Sequence, residues 1–381
     1  MKTVQLVPAM EQGGVERGIV EMNRALVSAG IDNLVVSVGG RLLERVVADG
    51  GRVALLDVKS KNPLTFFFRA ARLRRLLAAE RPDVVVAHSR VPAWLFAWAN
   101  RRLHLPWISF AHGANSISRY SRIMTAGDVV VTPSRYIADY LKSAYGTAED
   151  IIRVIPRAID SGRFDPAALD ASFIDEMRGA WGLDGRFVVM GLGRITQLKG
   201  YDILIRATAI ARKSIPNILT VIVGEAEAKR KGVESELRAK VREEGLEDAV
   251  VFVGNQQKVA ECLSLADVVV SANTRKPEAF GRSMAEALAM NRPVVATAFG
   301  GALEIVEDGV NGFLVPPIPD GPHAGEARAA AFAEAIVKVS RTAFGDLRSS
   351  AMAKFSFERM AADSLAVYRE FSGGRPAAAR K

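Results

Sequence analysis

The 381-residue chain has one cysteine, Cys262, so no internal disulfide can form. Its setting, Ala-Glu-Cys262-Leu-Ser-Leu-Ala, is a helical pattern that predicts a packed core thiol without a redox role. No stretch approaches the roughly 18 uncharged apolar residues of a membrane-spanning helix. The start, Met1-Lys2-Thr3-Val4-Gln5-Leu6, reads as a first core strand with no long apolar region or cleavage site, which points to the cytoplasm. There is no Walker lysine motif and no Asp-x-Asp pair, and Gly191-Leu-Gly193 lacks the third glycine of a dinucleotide site. Zinc-finger spacing, a basic zipper and the aromatic motif of RNA-binding sheets are also missing, so the basic balance alone makes a weak case for nucleic acid.

What is present fits a folded enzyme-sized protein: 49% hydrophobic and 24% charged residues, with no disordered or collagen-like bias. The length exceeds what one hydrophobic core supports, so two domains are expected. The net charge of +9 is uneven: residues 1–165 hold 23 Lys and Arg against 15 Asp and Glu, leaving 28 against 27 for the rest. A basic first half suits an anionic surface or an acidic substrate.

Short Val- and Ile-rich runs alternate with helical stretches, the pattern of parallel sheets covered by helices on both faces. Strands are expected at 3–8, 33–38, 52–56, 84–88, 107–110, 129–132 and 151–155, and again at 187–192, 219–223, 250–253, 267–271, 293–297 and 312–315. The segment Pro156 to Pro166 reads as the linker, giving domains 1–165 and 166–354, with a last helix, Phe355–Phe371, in a C-terminal segment 355–381 that completes the first. Residues 317–329 read as a mobile loop and the last six residues as a frayed tail. In Phe66-Phe-Phe-Arg69-Ala-Ala-Arg72-Leu-Arg74-Arg75, aromatics and four arginines share one helix, as in helices that lie on anionic membranes; a core helix with a solvated basic face gives the same pattern. Trp94 and Trp98, four apart, are expected in the core.

Two loops carry candidate chemistry. In Glu278-Ala-Phe280-Gly281-Arg282-Ser283-Met-Ala-Glu286 a glycine stands where a loop enters a helix. The amides of Gly281, Arg282 and Ser283 would be helix N-terminal donors able to hold phosphate, with a carboxylate on each side for hydroxyls. Gly193-Arg194-Ile-Thr-Gln-Leu-Lys199-Gly200 follows a strand, at the sheet edge where ligands bind, and its two cations suit a diphosphate. With no acidic pair to hold a divalent ion, this chemistry reads as metal-independent.

In five segments the chain resembles the retaining glycosyltransferases of family 4: Gly13-Gly14-Val-Glu16-Arg17; His112-Gly113; Gly193-Arg194 with Lys199-Gly200; Glu278 to Glu286; and Gly300-Gly301-Ala-Leu-Glu304 through Gly312-Phe-Leu-Val-Pro. Lys61-Asn-Pro-Leu, His88-Ser-Arg90-Val-Pro-Ala-Trp94 and Arg119-Tyr-Ser-Arg are similar to the branch that assembles lipopolysaccharide core. The resemblance implies a GT-B fold, two Rossmann-like doubly wound α/β domains facing across a cleft: an N-terminal acceptor domain and a C-terminal domain for a nucleoside diphosphate sugar. It implies that Arg194 and Lys199 hold the diphosphate, Glu286 the ribose and Glu278 the donor sugar. Gly13 and Gly14 would approach the donor, His112 would hydrogen-bond the transferred sugar, and Asn255 would lie near the base. The Gly224-Glu225-Ala-Glu227 turn departs from the family form, so no base preference follows. The implied reaction moves a hexose or heptose, with retention and without a cofactor, to a saccharide or lipid-linked acceptor, by a cytoplasmic enzyme that could sit peripherally on an anionic membrane. An inactive sugar-nucleotide-binding assembly protein would share the fold.

Overall fold

Among the described residues, Val- and Ile-rich runs form thirteen strands, each paired in parallel, as expected when apolar runs are buried on both faces of a sheet. The computed structural model describes residues 1–11, 13–226, 232–273 and 276–371. Two units result: residues 1–158 with the segment from Phe357 onward, and residues 159–356. Glu227 and the expected tail from Pro376 lie outside the described residues.

Unit 1 contains β1 (Lys2–Leu6), β2 (Asp32–Ser37), β3 (Arg52–Leu55), β4 (Val84–Ala87), β5 (Trp107–Phe110), β6 (Val129–Thr132) and β7 (Ile152–Val154) in the order β3-β2-β1-β4-β5-β6-β7. Side chains alternate between its faces. Val85 and Ala87 join Leu73, Leu77 and Phe96 of the helices Phe66–Glu80 and Arg90–Asn100. Val84 and Val86 face Met22 and Leu26 of the helix Gly14–Ser28, together with Met360, Val367 and Tyr368. Those last three belong to the helix Phe357–Arg369, which therefore completes this unit's core.

Unit 2 contains β8 (Phe187–Leu192), β9 (Ile218–Val223), β10 (Val250–Phe252), β11 (Val268–Ser271), β12 (Val294–Thr297) and β13 (Gly312–Val315) in the order β10-β9-β8-β11-β12-β13. Val188 and Met190 face a cluster that includes Cys262, and Val189 faces the opposite one. Burial pushes the Cys262 thiol up to about 12, consistent with an inert core residue.

Three expectations change, and the expected last helix is found as Phe357–Arg369, with a break at Ser356, φ −65° and ψ 155°, from the preceding helix Leu347–Phe355. The break lets the Phe355 carbonyl accept from Ile159 N at 2.7 Å, so the two chain crossings pair with each other. The segment read as a linker is anchored beyond Ala158: Phe164 is 2% exposed within unit 2's core, and Arg348 donates to its carbonyl. The loop at 317–329 is shorter, because helix Ala324–Val339 takes its second half and buried Arg328 donates to the Ile318 carbonyl and the Asp320 carboxylate. Finally, Trp94 is not in the core; it is 37% exposed, while Trp98 is partly buried.

Replacing Phe164 by Ala should cost about 3–5 kcal/mol, the range for a large aromatic lost from a core. Urea unfolding measures it, and a loss below about 1 kcal/mol, typical of a surface change, would show that this segment is a solvated linker after all.

Candidate functional site

In unit 2 the strand order reverses between β8 and β11, where successive connections leave in opposite directions. Loops at the carboxyl ends of such strands part and leave a crevice. The loop after β8 carries Arg194 and Lys199 into the helix Tyr201–Ala211, and the loop after β11 carries Glu278 into the helix Arg282–Ala289. Lys199 Nζ donates to Glu278 Oε1 and so joins the two loops; the side chains are 26% and 18% exposed. Gly200, at φ +67°, makes the approach possible, since a Cβ there would collide with the Ala272 carbonyl beyond β11. Beneath them the Tyr201 hydroxyl donates to the Gly193 carbonyl at 2.9 Å. Burial, and then the nearby Glu278 carboxylate, push the Tyr201 phenol up, so it stays protonated as a donor.

Gly281 precedes the second helix at φ +110°, and a Cβ on it would lie 3.1 Å from Glu278 Oε2. The carboxylate therefore sits over the helix start. The first intrahelical bonds run from Met284 and Ala285 to the Gly281 carbonyl, so the amides of Arg282 and Ser283 belong to the end that attracts anions. Glu286, one turn on, is 7% exposed and lies 3.5 Å from Arg282. Arg194 is exposed on its loop, and Asn255 is exposed beyond β10, where the Gly254 carbonyl accepts from Gly224 N at 2.8 Å. Phe280 is a correction: its ring is buried in the core against Phe355, centroids 5.3 Å apart, so its side chain is turned away from any ligand on this loop.

In unit 1, Gly13 caps the helix Gly14–Ser28 in an extended conformation, and the Glu16 carboxylate folds back into the space a Cβ would need. His112 lies just past β5, stacked on Phe110 with centroids 4.4 Å apart. The residue is half-buried, and both ring nitrogens have partners inside the unit. Arg157 donates to Nδ1, and Nε2 is 3.0 Å from His88 Nδ1. His88 Nε2 is 2.9 Å from Gln5 Oε1, and Gln5 Nε2 donates to Asn33 Oδ1 at 3.1 Å. Asn33 Nδ2 donates in turn to Asn23 Oδ1, and Asn23 Nδ2 to the Val46 carbonyl.

Direction follows from the ends of this chain. Arginine only donates and the Val46 carbonyl only accepts, so His112 carries its proton on Nε2 and His88 does likewise. Burial, and then the Arg157 charge, push His88 down to about 3 and hold His112 well below its ordinary value, so both rings are neutral. A bond from His112 to a sugar, as the resemblance implied, therefore requires exchange with Arg157 or His88. Sequence reading gave His88, Gln5 and Arg157 no role. The available signal was polar side chains inside apolar strands, since buried Gln5 and Asn33 must find partners.

A two-sheet α/β protein with a cation, a carboxylate and a helix start brought together at a switch point defines a broad class. Comparison narrows it. Residues 12–163 match the family described as Glycosyltransferase Family 4, and residues 173–335 match Glycosyl transferases group 1. A glycosyltransferase of Rickettsia africae is similar over 98% of both chains, with a TM-score of 0.83 and 26% identity. Anabaena HepE, solved with UDP and glucose, shares the fold over 97% of this chain and 99% of its own, with a TM-score of 0.79 and 22% identity. The D-inositol 3-phosphate glycosyltransferase of Xylanimonas cellulosilytica is 31% identical over 263 residues, which are 67% of this chain and 60% of that protein. The chain thus has the GT-B fold, with a family 4-type glycosyltransferase domain in residues 12–163 and a group 1-type one in residues 173–335.

The histidine relay has a pH consequence. Unfolded histidines bind protons near pH 6.5 whereas His88 binds them only near 3, so the unfolded state holds more protons between these values. This contribution to stability is complete above about pH 6.5 and is lost as pH falls toward 3. Between pH 7 and 5 the urea midpoint should fall more steeply in the wild type than in a His88→Asn, His112→Asn variant; equal slopes would contradict neutral burial.

Proposed function

We propose that the protein transfers a hexose or heptose, with retention of anomeric configuration, from a nucleoside diphosphate sugar bound in the unit 2 crevice. The observation that carries this reading is the Lys199–Glu278 pair at the switch point, beside the helix start at Gly281 and the buried Glu286. A cation and helix amides suit a diphosphate, and a carboxylate on either side suits hydroxyls. Lys199 would exchange Glu278 for a phosphate oxygen when donor binds, which frees the Glu278 carboxylate for the sugar. Arg194 adds a second cation, Glu286 takes the ribose and Asn255 lies toward the base. No bound metal is required in this reading, because cationic side chains and helix amides meet the developing diphosphate charge.

In the reaction the bond from the sugar's anomeric carbon to the phosphate oxygen breaks, and a bond from an acceptor hydroxyl forms on the same face. The acceptor proton passes to the departing diphosphate. Unit 1 would take the acceptor, and its surplus of cations supports an anionic one. Lipopolysaccharide core or another lipid-linked glycan is the proposed class, and the phosphorylated acceptor named for the Xylanimonas relative is also anionic.

A thermal-shift panel of UDP, GDP, ADP and their sugars tests the site; UDP, bound by the Anabaena neighbour, comes first. A ligand at 100 times its dissociation constant should add about 2.7 kcal/mol. Glu286→Ala and Lys199→Ala should each weaken the active nucleotide about tenfold, roughly 1.4 kcal/mol, with the unliganded proteins still folded. Wild-type affinity in both would refute the assignment, and an inverted product, read by proton NMR, would refute retention.

A further inference from the structure

Three segments of unit 1 that the proposed donor chemistry leaves unused, Lys61 to Pro63, the helix Arg90–Asn100 and the stretch around Tyr120, come together around one cavity of about 480 Å³. The helix Phe66–Glu80 supplies Phe66, Phe67 and Arg69, and the opposite wall is Val91, Trp94 and Tyr120. Trp94 and Tyr120 are near-parallel, 14° apart with centroids at 6.3 Å. Much of the wall's hydrogen-bonding capacity is already used. Trp94 Nε1 donates to the Tyr120 carbonyl at 3.0 Å, and Arg69 donates to Thr65 Oγ1 and to the Asn62 carbonyl, both at 3.1 Å. Ser60 Oγ and Asn62 Oδ1 accept from the amides of Asn62 and Leu64. The polar groups still open, Lys61, the Asn62 amide nitrogen and the Tyr120 hydroxyl, suit a headgroup, while Phe66, Phe67, Val91 and Trp94 leave an apolar wall that an alkyl chain can cover without hydrogen bonds.

The rim explains how such a chain would arrive. Leu64, Phe67 and Phe68 are 90%, 62% and 64% exposed, an apolar cluster where a surface helix ordinarily shows polar groups. Arginines stand against aromatic faces beside it: Arg72 over Phe68 at 5.8 Å, Arg74 over Trp98 at 5.9 Å and Arg90 over Tyr120 at 5.4 Å. Residues 59–79 contain six Lys and Arg and residues 84–127 contain five, and neither stretch has an Asp or Glu. Apolar tips surrounded by uncompensated positive charge complement an anionic bilayer. No helix among the described residues is long and apolar enough to cross a membrane.

We infer that this face of unit 1 docks on an anionic membrane and that the cavity takes one hydrocarbon chain of an anionic lipid. Phe67, Phe68 and Leu64 enter the bilayer, the arginines meet headgroup phosphates, and a chain slides between the Phe66–Phe67 edge and Trp94. The inference deepens the proposed lipid-linked acceptor and rests on that reading only for its catalytic meaning, because the binding itself is measurable without turnover.

The test is flotation of the full chain with phosphatidylglycerol or phosphatidylcholine vesicles, combined with tryptophan quenching by lipids brominated along the acyl chain. The expected result is binding to phosphatidylglycerol vesicles and not to phosphatidylcholine, with quenching that disappears in Trp94→Phe. Arg72→Gln and Arg75→Gln should each lower partitioning about fivefold, and Phe67→Ser with Phe68→Ser should lower it about tenfold or more. Val91→Phe, which narrows the cavity and adds no tryptophan, should keep vesicle binding and lose the Trp94 quenching. Absence of vesicle binding overturns the docking, and binding without acyl-chain quenching of Trp94 overturns the chain pocket. A nucleotide thermal shift on the Phe67→Ser, Phe68→Ser variant separates the two readings. An unchanged shift with lost vesicle binding leaves the donor site intact, whereas vesicle binding in a wild type that no nucleotide stabilises leaves this inference standing and removes the transferase reading.

Discussion

The pair between Lys199 and Glu278 is the constraint on which the candidate site depends. Two opposite charges on separate loops, each mostly removed from water, hold those loops together at the point where the sheet's connections diverge. Each charge offsets the other's partial desolvation, so losing one partner costs some stability without unfolding the unit. Their neighbours are shaped to allow the contact: Gly200 adopts a left-handed conformation beside the Ala272 carbonyl, and Gly281 leaves room for the Glu278 carboxylate over a helix start. A phosphate offered to Lys199 and a hydroxyl offered to Glu278 would replace one balanced arrangement with another. A ligand carrying both groups therefore fits better than either group alone.

Unit 1 solves a different problem with similar means. Its interior buries Gln5, Asn23, Asn33 and His88, which a purely apolar core would exclude, and a directed run of hydrogen bonds from Arg157 to the Val46 carbonyl links them. The cost of breaking one link is an unsatisfied group in a dry interior, which holds every ring and amide in one orientation. His112 is thus a rigid neutral ring whose environment is set by residues on β1, on β2 and beyond β4.

The thirteen strands of the described residues were legible because parallel strands buried on both faces leave continuous apolar runs. The pairing of Lys199 with Glu278 was not legible: they are 79 residues apart, and only the strand order brings β8 beside β11. Phe280 misled for a related reason. Its position beside Gly281 pointed to the ligand, whereas the loop's path turns the ring into the core against Phe355. In each case local propensity was overridden by a partner distant in sequence.

The central claim is that the crevice between the loops after β8 and β11 is where a nucleoside diphosphate sugar binds. The most direct measurement is an amide NMR titration of the full chain with the nucleotide that stabilises it. The account predicts that the largest shifts fall on Gly193 to Gly200 and on Gly281 to Glu286, with the Lys199 side-chain resonance moving as its bond to Glu278 is exchanged. Saturable shifts confined to other residues, with these two loops unmoved, would contradict it.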